Sequence, residues 1–286
     1  MPDQLTETTA LHTTVESSAG ELAALVAAPE AEPNAPVILL VPGYTGSKED
    51  FAPLLDPLVE AGFMAIAIDQ PGQHESPGPD DEAAYQPAAL GPVIHSIISP
   101  LALDHQVILL GHSFGGLSAR AAVLRGAPVS GLVLLCSGPA AFTSGNRFDA
   151  LTAGQPVLRE HGKRALYDRS QHAAGADPDD PAPLARFYRR RFLASNESGL
   201  LGMGKALLTE PDLTDDLARA LELRGAPAAV IAGESDDAWP LAQQRAMAGR
   251  LGTELLLVPD GAHSPAVEAP ANLLAILVPL MRSWLA

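Results

Sequence analysis

The sequence is short of cysteine, aromatic residues and basic charge. Its 286 residues include a single cysteine, Cys136. A lone thiol forms no internal disulfide, so the chain does not need an oxidising compartment. Cys136 ends the apolar run GLVLLC with no base motif beside it, and reads as a small buried hydrophobe rather than a nucleophile. Basic residues number 18 against 34 acidic ones, a net charge of −16. That deficit argues against nucleic acid and anionic membranes as partners. No apolar run reaches the ~20 residues of a membrane span. The longest, LLAILVPLMRSWLA, is short and contains Pro279. The N-terminus lacks a basic stretch followed by an apolar one, so no signal peptide is expected, and a cytoplasmic location is. There is no HExxH pair, Cys/His cluster, phosphate loop or dinucleotide glycine motif. Neither a metal nor a cofactor is therefore expected.

What the chain does have is a rhythm. Short runs rich in Val, Ile and Leu occur at 37–41, 63–68, 107–110, 131–136, 228–232 and 254–258. Runs of this kind suit strands buried on both faces of a parallel sheet. Segments with helical spacing lie between them, most clearly at 48–60, 113–124, 240–251 and 266–285. Alternating strand and helix predicts an α/β fold with a mostly parallel central sheet and helices on both faces. Residues 11–28 are expected to add an antiparallel hairpin at the sheet edge. From 141 to 222 no strand-like run appears, while helical spacing returns at 184–194 and 213–223. The expected organisation is a core formed by 1–140 and 223–286, interrupted by a helical lid at 141–222.

Chemistry enters at VILLGHSFGG (107–116), a strand followed by G-x-S-x-G and a helix. In that setting Ser113 is a candidate nucleophile on a strained turn, with Gly111 and Gly115 allowing strand and helix to pass closely. The bland alternative is a helix N-cap serine. The first-turn N–H of Phe114 is placed to stabilise an oxyanion. A serine hydroxyl needs a base, and VPDGAHSP (258–265) offers His263 just after the last apolar run. His112 adjoins the serine, but its side chain is expected to point away. The base needs an acid, and AAVIAGESDDAWP (228–240) offers Glu234, Asp236 and Asp237, equivalent by position alone.

These motifs, with VPGYTGSKEDF (41–51) and IDQPGQHES (68–76), resemble the α/β-hydrolase superfamily over about residues 37–285, in its lid-bearing, esterase- or lipase-like form. The resemblance implies the α/β-hydrolase fold. It selects Asp236 as the acid, three residues after Gly233 and four before Pro240, and makes the Tyr44 amide the second oxyanion donor. Two positions depart from the pattern. Pro42 stands where the family carries a histidine, and His74 where it carries a glycine. His74, Trp239 and Tyr188 are candidate pocket residues. Tyr188 belongs to ARFYRRRFLAS (185–195), whose arginines 186, 189, 190 and 191 either bind an anionic substrate or pair with the acidic surface. The implied activity is hydrolysis of a small or medium ester, thioester or lactone, with a small-molecule substrate. Acyl transfer or cyclisation on the same triad, or ligand binding without turnover, are the alternatives.

Overall fold

Residues 3–30 and 32–285 are described by the computed structural model. The apolar runs are strands. β1 (Leu11–Ser17) and β2 (Gly20–Ala27) form the hairpin, followed by β3 (Val37–Val41), β4 (Met64–Ile68), β5 (Val107–His112), β6 (Gly131–Leu135), β7 (Ala228–Gly233) and β8 (Leu255–Val258). They build one eight-stranded sheet in the order β1-β2-β4-β3-β5-β6-β7-β8. β1, β2 and β4 pair antiparallel, and every pair from β4 to β8 is parallel.

The helices are α1 (Ala52–Glu60), α2 (Pro87–Leu101), α3 (Phe114–Leu124), α4 (Asn146–Ala173), α5 (Pro183–Ala194), α6 (Glu197–Thr209), α7 (Thr214–Arg224), α8 (Leu241–Arg250), α9 (Pro265–Glu268) and α10 (Pro270–Leu285). Strand alternation divides the core between two layers. Ile38, Leu40, Ile108 and Leu110 pack with Leu54, Leu58, Leu273 and Leu277 of α1 and α10. Val37, Leu39, Val107 and Leu109 pack with Ile94, Val123, Leu217 and Met247 of α2, α3, α7 and α8. Both faces of β3 to β7 are covered, so those strands carry no polar alternation.

The strand-free stretch is not uniform. α4 to α6 pack on one another above the carboxyl ends of the strands, and α4 is broken at Gly162, whose φ is 79°. α7 instead puts Leu217 and Leu221 against the sheet beside α3. Among the described residues no helix is long and apolar enough to cross a membrane.

α2 and α3 meet at Gly91, where an added Cβ would lie 2.6 Å from the Ala121 carbonyl carbon. A side chain there must force the helices apart. Gly91→Ala is expected to destabilise the protein by about 1–3 kcal/mol. The readout is a lower urea midpoint at an unchanged m-value.

Candidate active site

The site begins with a close passage of backbone over backbone. A Cβ on Gly111 would overlap the Gly115 carbonyl, and one on Gly115 would overlap the Val41 carbonyl and lie 2.5 Å from that of Pro42. β3, β5 and the start of α3 can approach this closely only with glycine at these positions. The turn between β5 and α3 leaves Ser113 at φ 53°, ψ −120°, a strained conformation for a side-chain-bearing residue. It is held there by its own N–H, which donates to the Leu135 carbonyl at 2.8 Å.

Three candidates meet at the carboxyl end of the sheet. His263 Nε2 lies 3.0 Å from Ser113 Oγ, and His263 Nδ1 lies 2.7 Å from Asp236 Oδ1. Asp236 also accepts from the Ala238 N–H at 3.0 Å and from Gln244 Nε2 at 2.8 Å. Burial alone raises the Asp236 pKa, but the hydrogen bonds from His263, Ala238 and Gln244 hold it below the ordinary carboxylate value. An ionised Asp236 accepts from Nδ1–H, leaving the His263 Nε2 lone pair to accept from the serine hydroxyl. The other two acids lie elsewhere. Glu234 is exposed, and Asp237 pairs with Arg147 at 2.6 Å.

The amides of Phe114 and Tyr44 make no hydrogen bond to other described residues. Gly43 puts the second amide beside the serine, since a Cβ on Gly43 would lie 3.0 Å from Ser113 Cβ. Here α3 presents an unpaired first-turn donor, as a helix N-terminus does.

A cavity of about 590 Å³ opens over Ser113 and His263. Phe142, Leu151, Leu166 and Leu207 supply its apolar wall. Tyr188 lines it, and its hydroxyl donates to Gln4 Oε1 at 2.8 Å. The other two candidate pocket residues do not line it. Trp239 is 1% exposed, and it packs under the loop after β6, donating from Nε1 to the Ala140 carbonyl at 2.9 Å. His74 turns into a buried ionic cluster, with Nδ1 at 3.5 Å from Glu49 and its ring edge-on to Phe187. The centre of that cluster is Lys48, 2.8–3.1 Å from Glu49, Asp69 and Glu75. Glu49, His74 and Glu75 lie close enough to share a metal ion, but the Lys48 ammonium already fills the cationic role among these carboxylates. Two of the clustered arginines are spent on ion pairs: Arg189 with Asp179 and Arg191 with Asp50, each at 2.6 Å.

Sequence reasoning missed Glu268 as a supporting residue and did not foresee the bond made by His112. Glu268 accepts from the Ala262 N–H at 2.7 Å and the Ser264 N–H at 3.0 Å, clamping the His263 loop from both sides. Only its position five residues after His263 in the chain hinted at this. His112 lies with Nε2 2.6 Å from the His263 carbonyl oxygen, so Nε2 carries a proton and donates. Cys136 is buried, and burial pushes its thiol pKa well up, away from reactivity.

With this geometry in view, the chain's affinities are clear. Residues 38–276 match the family model described as the alpha/beta hydrolase family, and the protein belongs to that family. No curated protein matches it in sequence. Among solved structures it is similar to a carboxylesterase of Nitrososphaera gargenis (19% identity, 95% of this chain and 98% of that one covered, TM-score 0.73). It is also similar to the enol-lactonase of Burkholderia xenovorans LB400 (20% identity, 96% and 99% covered, TM-score 0.74). A third is epoxide hydrolase A of Mycobacterium thermoresistibile (19% identity, 96% and 98% covered, TM-score 0.69). At such identities the likeness is one of fold, and these folds carry different chemistries.

Burial pushes the His112 pKa down from 6.5 to about 4, with the nearby His263 acting in the same direction. Below pH 6.5 the unfolded chain takes up a proton that the folded chain refuses until about pH 4. Stability from this source is flat above 6.5 and falls by roughly 3 kcal/mol as the pH drops through that window. His112→Gln is expected to flatten this pH dependence, measured as urea midpoints between pH 7 and 4.5.

Proposed function

We propose that the protein is a serine hydrolase acting on a small or medium carboxylic ester, thioester or lactone. The observation that carries this reading is the continuous chain Ser113–His263–Asp236, with bonds of 3.0 and 2.7 Å, opening into the cavity. Ser113 Oγ attacks the substrate carbonyl while His263 Nε2 takes its proton. Asp236 holds the tautomer and stabilises the imidazolium. The amides of Tyr44 and Phe114 hold the oxyanion. The imidazolium then gives its proton to the departing alcohol or thiol, and water attacks the acyl-serine by the reverse proton path. Products are the free acid and the alcohol or thiol; a lactone gives one hydroxy acid.

A cavity of about 590 Å³ suits a small or medium acyl group, and Phe142, Leu151 and Leu207 give it apolar contact. Arg191, on the cavity wall, is neutralised by Asp50, which favours an uncharged substrate over an anion. The insertion 141–222 acts as a lid through α4 to α6, and the protein works in the cytoplasm on a small molecule.

Treatment with a fluorophosphonate is expected to add one mass adduct to the folded protein and none to Ser113→Ala. On an ester panel Ser113→Ala is expected to lose several orders of magnitude in rate, and Asp236→Asn about 10⁴-fold through the wrong tautomer. Full turnover by Ser113→Ala would sink the reading. Diversion of most acyl-enzyme to added alcohols or amines, in place of water, would favour acyl transfer instead.

A further inference from the structure

The donor at Tyr44 has a direction as well as a position. Its N–H and the Gly43 carbonyl belong to one planar trans peptide, so they point opposite ways, and fixing one aims the other. The Gly43 carbonyl accepts from Gln73 Nε2 at 2.7 Å and from the Gly46 N–H at 3.1 Å. The Gly46 bond lies inside the same loop and moves with it. Gln73 comes from a different segment, the turn after β4, and ties the peptide to the framework. Its other end is also fixed: Oε1 accepts from the Gln70 N–H at 3.1 Å, and the residue is 3% exposed. Gln70, fully buried, makes a parallel bond one peptide earlier, from Nε2 to the Pro42 carbonyl at 2.9 Å. The turn that carries both glutamines is pinned in its own right. Asp69 accepts from the Lys48 N–H at 2.7 Å, and Ser76 Oγ donates to the Asp69 carbonyl at 2.8 Å.

We propose that Gln73 is a positioning residue for the reaction. Its side-chain amide holds the Gly43–Tyr44 peptide in the one orientation that turns the Tyr44 N–H toward the oxyanion beside Ser113. This rests on the reading of Ser113 as nucleophile and of the Tyr44 amide as donor. Without the Gln73 donor, the peptide keeps only a bond within its own loop, and its N–H is no longer aimed before charge develops. The cavity contacts that bind the substrate are untouched. The loss therefore falls on the transition state rather than on ground-state binding.

The test compares wild type, Gln73→Met, Gln70→Met and Ser113→Ala on an aryl ester that the wild type turns over. Each is also titrated with a trifluoromethyl ketone; addition of the serine oxygen to its carbonyl carbon gives a hemiketal whose former carbonyl oxygen is an anion in the oxyanion site. For Gln73→Met, kcat is expected to fall about 10- to 100-fold, with KM within about twofold and ketone affinity reduced in step with kcat. Gln70→Met removes a bond of the same kind from a peptide that does not carry the donor, and is expected to lose less than about threefold. Wild-type kcat in Gln73→Met, a loss confined to KM, or equal losses in the two glutamine variants would overturn the proposal. Should Gln73→Met not fold by circular dichroism, the near-isosteric Gln73→Glu, which lacks the donor, is held to the same expectations. A dead Ser113→Ala beside a fully active Gln73 variant removes this inference alone, whereas an active Ser113→Ala removes the nucleophile reading beneath it.

Discussion

The close approach of α3 to the ends of β3 and β5 is the constraint from which the rest of the site follows. Backbone lies on backbone at Gly111, Gly115 and Val41, so no side chain separates the helix from the sheet. The chain can enter α3 from β5 only through a turn that leaves Ser113 at positive φ, a cost of about 1–3 kcal/mol that the surrounding packing must offset. The register Val41↔Gly111 then aligns the exits of β3 and β5. The serine and the amide of the helix it precedes are therefore set by one contact, and the exit of β3 that leads to Tyr44 lies beside them. In the proposed reaction the cost at Ser113 is offset by preorganisation, since donors already aimed need not reorganise as charge develops.

His263 and Asp236 are brought in by a second close contact of the same kind. A Cβ on Gly233 would overlap the Ala262 carbonyl, so the end of β7 lies directly against the loop carrying His263. Electrostatics then separates the two histidines. Their rings lie 5.1 Å apart, close enough for two charges to oppose each other strongly. Burial keeps His112 neutral at ordinary pH, so it donates a hydrogen bond to the His263 loop without adding a positive charge beside the His263 ring. Asp236 sits on the other side of that ring as a carboxylate. One neutral and one anionic neighbour are what the proposed role of His263 as base requires.

The sequence shows the middle of the sheet clearly because β3 to β7 are buried on both faces and carry unbroken apolar runs bounded by turn residues. It shows α3 and α10 for a related reason, since their apolar residues fall at helical spacing. α2 is harder to see, because Gly91, Pro92 and Pro100 interrupt the apolar spacing of Leu90, Ile94, Ile97 and Ile98. α4 is largely exposed and polar, with few buried residues to mark a face and a break at Gly162. His74 and Trp239 follow the same logic in reverse. Each sits beside motif residues in the chain, but each ring is claimed by nearer partners, Glu49 and Phe187 for one and the Ala140 carbonyl for the other.

The residues that aim the site were the least legible, and the reason is physical. A nucleophile, a base and a free amide must be particular groups at particular turns, so their spacing is written into the chain. A group that fixes a peptide needs only a donor of the right length arriving from a well-anchored neighbour. Glutamine at 73 does this for the Gly43 carbonyl, 30 residues away in the chain, where no local spacing connects the two. The same holds for Pro42, which lacks the histidine side chain that the family carries there. Its carbonyl is secured instead by Gln70, from a turn that also carries the Lys48–Asp69 ion pair. The Pro42 and Gly43 carbonyls are thus each bonded from outside the loop, and the residue that departs from the family pattern need not contribute a side chain there.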